Sequence, residues 1–286
     1  MSQPEQALAI RWILVALDTS PNSLAALEGA VALATRIEAE LLGLFVEDVE
    51  LLRMADSPHA REILYPSARG AQLSRPGMEL RLRIQSERAR NALAAAAENA
   101  HVPWSFRTVR GHVASELMAA VGAADLLALG KRGWSCSSQL RIGSTALQLA
   151  TSAIPVLLNP TSRTSGQPRL QVYYDDSPAA KRALLAASQL AEDGGSVTIL
   201  LAVASTEQAR SLESEIALAL KGRNLTIRFQ QIVPNDEASL SRVLREDQPG
   251  LLILGSREPF RGSHSLEALL RDSKASVLLL GDRTEP

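Results

Sequence analysis

One cysteine in 286 residues, Cys136, excludes an intrachain disulfide and any cysteine-cluster metal site. Histidine is almost as scarce. His59, His101, His112 and His264 stand apart without the spacing of metal ligands, and all four read as structural or solvent-facing. Aromatic residues make up only 3% of the chain, so Ala, Leu, Val and Ile must fill the core. Such small side chains suit helices laid closely on a sheet. No apolar run approaches the roughly 18–20 residues that would span a bilayer. The first seventeen residues carry Glu5 and Arg11 and lead into an apolar run without a signal-peptide cleavage pattern. A cytoplasmic location with no membrane partner is therefore expected. Net charge is lacking too: 30 basic against 31 acidic residues leave no basic field to hold nucleic acid by counterion release.

What is present is core material: 46% of residues are hydrophobic and the mean hydropathy is +0.01, in a chain long enough for two ordinary domains. The most informative stretch is Gly130-Lys131-Arg132-Gly133, followed after nine residues by Gly143-Ser144-Thr145. An apolar run at 125–129 reads as a short buried strand before it, and the periodic run at 146–150 reads as a helix after it. Glycines just past a strand let backbone approach a ligand where a Cβ would collide. A helix opened by Gly143-Ser144 turns free N–H groups and a positive dipole end outward, which suits a phosphate. The plainer reading is a glycine-rich strand-to-helix loop with Ser144 as an N-cap.

The rest of the first half alternates strands with helices. Strands are expected at 13–17, 41–46, 103–109, 125–129 and 155–158. Ser20-Pro21 opens the first helix, cap then proline, and Leu24, Leu27, Val31 and Ala34 keep one apolar face along it. A helix is expected over about 79–100 and a short one over 114–121. Residues 49–78, with Pro58, Pro66 and Pro76, form an irregular excursion. It could close over a pocket, cover part of the partner domain, or be mobile. The alternation itself means a parallel sheet with helices on both faces.

A polar segment from Asn159 to Pro168 reads as a linker, after which the pattern restarts. Asp175-Asp176-Ser177-Pro178 repeats Asp18-Thr19-Ser20-Pro21, and the runs at 197–201, 225–231, 251–254 and 277–280 repeat the later strands in order. The domains are therefore placed at 1–160 and 161–286. The copies differ in two respects. The second lacks the excursion. It also has only nine positions between Gly255 and His264 where the first has thirteen between Gly130 and Gly143, and Glu258 and Pro259 fall within them. A carboxylate repels phosphate and proline has no N–H to donate, so no nucleoside triphosphate is expected in the second copy.

Asp18, Gly130, Gly133, Gly143 and Ser144, with their spacing, together resemble the signature of the universal stress protein family, in a tandem form. The resemblance implies an α/β fold: two doubly wound, Rossmann-like five-stranded parallel sheets of order 3-2-1-4-5, associated as an internal pseudo-dimer through their final strands. It implies ATP, with or without magnesium, at the carboxyl ends of the first sheet, where strand order reverses. Asp18 would meet the adenine edge, and the backbone at Phe45 or Val46 would frame the base. Gly130 and Gly133 would border the ribose and phosphates, while Gly143, Ser144 and Thr145 would hold the phosphates. A homodimer of the chain is also implied.

Plainer rivals stay open. Asp18 could simply cap the helix begun by Ser20-Pro21. Lys131 and Arg132 could neutralise phosphate, although loop cations are more often solvated. Cys136 could be oxidisable or incidental, and Trp134 could cover the site or anchor the loop. The arginines at 75, 81, 83, 88 and 90 read as a solvated helix face. The sequence contains no Walker loop, no Ser-Gly-Gly-x-Asp-Ser loop, no His-x-Gly-His motif and no carboxylate pair suited to magnesium-assisted chemistry. The expected function is adenine-nucleotide binding in a regulatory or stress-response role, with little or no turnover. The alternatives are a nucleotide-independent interaction module and a slow ATPase.

Overall fold

The computed structural model describes residues 10–64, 69–122, 124–131, 154–160, 169–234, 236, 239–240, 242–243, 250–255 and 275–280. In chain order the first half holds β1 (Trp12–Ala16), α1 (Pro21–Ile37), β2 (Glu40–Asp48), α2 (Val49–Ala55), β3 (Arg61–Leu64), β4 (Arg69–Gln72), α3 (Arg75–Asn99), β5 (Trp104–Gly111), α4 (Val113–Val121), β6 (Leu126–Gly130) and β7 (Val156–Asn159). The second half holds β8 (Leu170–Tyr174), α5 (Pro178–Leu190), β9 (Ser196–Ala202), α6 (Thr206–Ala219), β10 (Thr226–Ile232), β11 (Leu251–Leu254) and β12 (Ser276–Leu279).

The helices begin where short polar side chains satisfy their free N–H groups. Ser20 Oγ accepts from Ser23 N at 3.1 Å and Ser177 Oγ accepts from Ala180 N at 3.1 Å, each followed by a proline in the first turn. Such caps contribute about 0.5–2 kcal/mol apiece. Helix α1 ends at Glu38 in the left-handed conformation, φ +54°.

One sheet of ten strands runs through the molecule in the order β10-β9-β8-β11-β12-β7-β6-β1-β2-β5. Each half contributes five parallel strands in the order 3-2-1-4-5, so both halves trace the same path. They meet at β7 and β12, the one antiparallel pair of this sheet, with Leu158 opposite Val277, Leu157 opposite Leu278 and Val156 opposite Leu279. All six side chains are buried, and each stabilises the fold by about 1.5–3 kcal/mol through removal from water. The expected association of final strands is therefore present inside one chain. Asn159 and Ser276 extend the seam with a 2.7 Å side-chain hydrogen bond.

Helices cover both faces. On one, α1, α3, α5 and α6 pack Leu27, Leu93, Ala183 and Ile216 against Ile13, Val15, Val172 and Ile199. On the other, Leu117 and Val121 of α4 cover Leu14, Leu42 and Leu127, and Leu240 and Val243 lie in the same layer beside Leu200 and Leu252. The structure corrects the irregular excursion at 49–78. Asp48 caps α2 through Glu50 N at 2.9 Å, β3 and β4 pair antiparallel, and α3 starts at Arg75 behind the Ser74 cap. In the second half β9 passes into α6 within four residues, as expected.

Candidate functional site

Strand order reverses between β1 and β6, and the carboxyl ends of β1, β2, β5 and β6 surround that point. Crevices for ligands form there because neighbouring connections leave toward opposite faces of the sheet. On the α4 face its floor consists of Ala16, Val46 and Val109, each half-buried and packed on the core beneath, with Val113 of α4 beside them. Strand register places Ala16 opposite Leu44, and Val46 opposite Val109. The floor is apolar and open to solvent.

Backbone groups complete the floor. Leu17 N donates to Leu44 O at 2.9 Å. Backbone groups along a parallel strand face the same side at every second residue, so the N–H and C=O of Val46 face the same way as those of Leu44. There β1 has already ended, leaving that side of Val46 toward the crevice. Phe45 is turned the other way. Its ring is 3% exposed in the core under α1 and α3, so only its backbone lies near the crevice.

Asp18 sits at the rim, half-buried, two residues past β1. One carboxylate oxygen, Oδ1, accepts from Ser20 N at 2.9 Å, and Asp18 N donates to Ser23 Oγ at 3.3 Å. Asp175 makes the same turn in the second half, accepting from Ser177 N at 3.1 Å. Thr19 and Asp176, the residues between, both adopt positive φ, +62° and +65°. Asp18 thus orients the entrance to α1, while Ser20 is the cap proper.

Gly130 ends β6, and the first turn of α1 explains why it must be glycine. A Cβ there would lie 2.6 Å from Asn22 O and 2.7 Å from Asn22 C, both backbone. Gly255 meets the backbone of Ala179 and Ala180 in the same manner, with Ala180 N 2.8 Å from an added Cβ. Close helix-to-strand packing therefore demands glycine at this position in both halves. Asp18, Val46 and Gly130 come together at the ends of neighbouring strands. Gly133, Gly143, Ser144 and Thr145 lie outside the described residues, as do Arg132, Trp134 and Cys136.

Lys131 departs from the expected solvated or phosphate-facing cation. It is buried, 6% exposed, and its Nζ donates to Ala275 O at 2.8 Å across the seam, while its N donates to Asn159 O at 2.9 Å. Burial lowers its pKa to about 7. Nothing local in the sequence marks this, because the acceptor is 144 residues away.

Beyond the crevice, Arg110 at the end of β5 pairs with Glu47 of β2 at 2.8 Å and reaches Glu79 of α3 at 3.5 Å. The hydrogen bond to Glu47 raises the Arg110 pKa. Arg75 continues the chain of charges to Asp56 at 2.5 Å, tying α3 to the end of α2. His112 Nδ1 lies 3.4 Å from Glu50 Oε1. Among the described residues no group of His, Cys, Asp or Glu could hold a metal ion, and no helix is long and apolar enough to cross a membrane.

The second half offers a contrast at the same register. Tyr173 stands opposite Leu200 as Ala16 stands opposite Leu44, and Ala202 opposite Ile232 as Val46 opposite Val109. These three are all buried, at 6%, 7% and 2% exposure. Burial, with the nearby charge of Asp175, pushes the Tyr173 phenol up to about 12.

Comparison with solved structures finds the same architecture. A universal stress protein from Archaeoglobus fulgidus superposes with a TM-score of 0.68 at 19% identity, over 94% of this chain and 98% of its own. A functionally unknown protein from Pseudomonas aeruginosa PAO1 matches with a TM-score of 0.56 at 15% identity, over 96% and 93%. At such identities the likeness concerns the fold. A search among curated protein sequences finds no match. The sequence profile of the universal stress protein family matches residues 9–160, which is more than half of the chain. The protein belongs to the universal stress protein family.

Proposed function

We propose that this universal stress protein binds an adenine nucleotide, ATP, in the crevice of its first half and serves as a regulatory or stress-response protein with little or no turnover. The carrying observation is the open apolar floor of Ala16, Val46 and Val109 at the point where strand order reverses. An adenine ring laid on it would remove apolar surface from water, while the Val46 backbone offers a donor and an acceptor at the base edge. Asp18 keeps Oδ1 in its turn, and its second oxygen is the one that would accept from the adenine amine. A hydrogen bond to a charged acceptor is worth about 1.5–3 kcal/mol. Gly133 would border the ribose and phosphates, and Gly143, Ser144 and Thr145 would hold the phosphates through backbone and hydroxyl donors. The described residues fit the base; no residue set among them suggests fast chemistry.

A second reading, a nucleotide-independent interaction module, draws on the structural duties of Asp18 and Gly130. Both recur in the second half at Asp175 and Gly255, so neither requires a nucleotide. Calorimetric titration with ATP separates the readings. Binding by the wild type that disappears in Gly143→Glu supports the nucleotide site; absence of binding, or binding untouched by the substitution, supports the module. The homodimer implied by the resemblance would use a surface other than the final strands, since β7 and β12 pair with each other.

A further inference from the structure

We propose that Tyr173 acts as a built-in plug: in the second half it fills the place that Ala16 leaves open for a base in the first, and so limits the chain to one nucleotide. The inference rests on the nucleotide reading above for the first crevice, and on register and burial for the second.

Three correspondences fix the comparison. Ala16 and Tyr173 are each two residues before the turn-forming aspartate, Asp18 or Asp175. Each pairs with the matching leucine of the adjacent strand, Leu44 or Leu200. Both lie in the same apolar layer, Ala16 on the face covered by α4 and Tyr173 on the face that carries Leu240 and Val243. In the first half the residue is a methyl group, and Ala16, Val46 and Val109 all retain solvent exposure. In the second it is a phenol ring, and Tyr173, Ala202 and Ile232 are sealed together with Leu240 and Val243. Ala202 is smaller than Val46, so the closure does not come from that position. It comes from the ring together with Ile232, which stands where the first half has the smaller Val109.

The plug is independent of the shortened loop after Gly255, which would weaken phosphate binding only. A base-only probe therefore isolates it. Adenosine, which lacks phosphates, should bind once per wild-type chain, with ATP competing for the same site. Opening the second crevice by Tyr173→Ala should raise the adenosine stoichiometry by one while leaving ATP affinity at the first site unchanged. Where Tyr173→Ala lowers folding yield, Tyr173→Val opens the same space with less cavity. The reciprocal change, Ala16→Tyr, puts the ring into a position already open to solvent and should abolish adenosine and ATP binding with the circular dichroism spectrum unchanged.

Adenosine stoichiometry that stays at the wild-type value in both folded Tyr173 variants would overturn the plug, as would wild-type binding in Ala16→Tyr. Should the wild type bind neither ATP nor adenosine, the nucleotide reading of the first half fails by itself. The plug is then still decided, because a gain from no adenosine site to one in Tyr173→Ala upholds it and no gain refutes it.

Discussion

Replacing Lys131 by methionine should change how stability depends on pH more than it changes stability at any single pH. The wild-type ammonium is buried at the seam with its pKa lowered from 10.5 to about 7. An unfolded chain keeps the ordinary lysine pKa. Between pH 7 and about 10 the unfolded state therefore holds one proton more than the folded state, and stability rises with pH by about 1.4 kcal/mol per unit from this group alone. Below pH 7 both states are protonated, and the folded state bears the full cost of a buried charge. Over three units, pH 7 to pH 10, the gain amounts to about 4 kcal/mol. Methionine is similar in length and does not titrate, and every other group contributes equally to both proteins. The variant also loses the hydrogen bond from Lys131 Nζ to Ala275 O, a cost of about 0.5–1.5 kcal/mol that does not produce the rise with pH. The assay is urea unfolding followed by circular dichroism at pH 6, 7, 8, 9 and 10. Wild-type stability relative to Lys131→Met should be flat below pH 7 and climb steeply above it. A difference that stays constant across the series would refute the burial of Lys131 against Ala275.

Gly130→Ala should destabilise the chain by about 1–3 kcal/mol in denaturant titration without any nucleotide present, because the added carbon meets the backbone of Asn22; Gly255→Ala should do the same against Ala179. Equal stability in either variant would contradict the close packing. Asp18→Asn should keep the turn to Ser20 N but lose the charge, weakening ATP binding about tenfold with little change in melting temperature. If melting temperature drops while affinity is unchanged, Asp18 has only its turn to make. Thr19→Gly should stabilise the protein by about 0.5–1 kcal/mol, since a β-branched residue at φ +62° is strained; a loss of stability would contradict the assigned backbone conformation.

Local chemistry made much of this fold readable. The Ser-Pro pairs at 20–21 and 177–178 announce two helices through capping and proline geometry. The Val- and Leu-rich runs announce strands that are buried on both faces. Most of what escaped the sequence depends on contacts between distant residues. Gly130 looked like a ligand-facing glycine, yet its first neighbour is the backbone of Asn22, and Gly255 shows that the same constraint holds in the second half. Lys131 looked solvated because its acceptor belongs to the other half. Tyr173 carried no signal until register set it against Ala16. The hairpin of β3 and β4 went unseen because four-residue strands carry too few alternations to distinguish them from loop.

Native mass spectrometry of the intact chain in excess ATP tests the central claim most directly. One open crevice and one plugged crevice predict a single nucleotide mass added per chain at saturation. Two nucleotides per chain, or none, would contradict it.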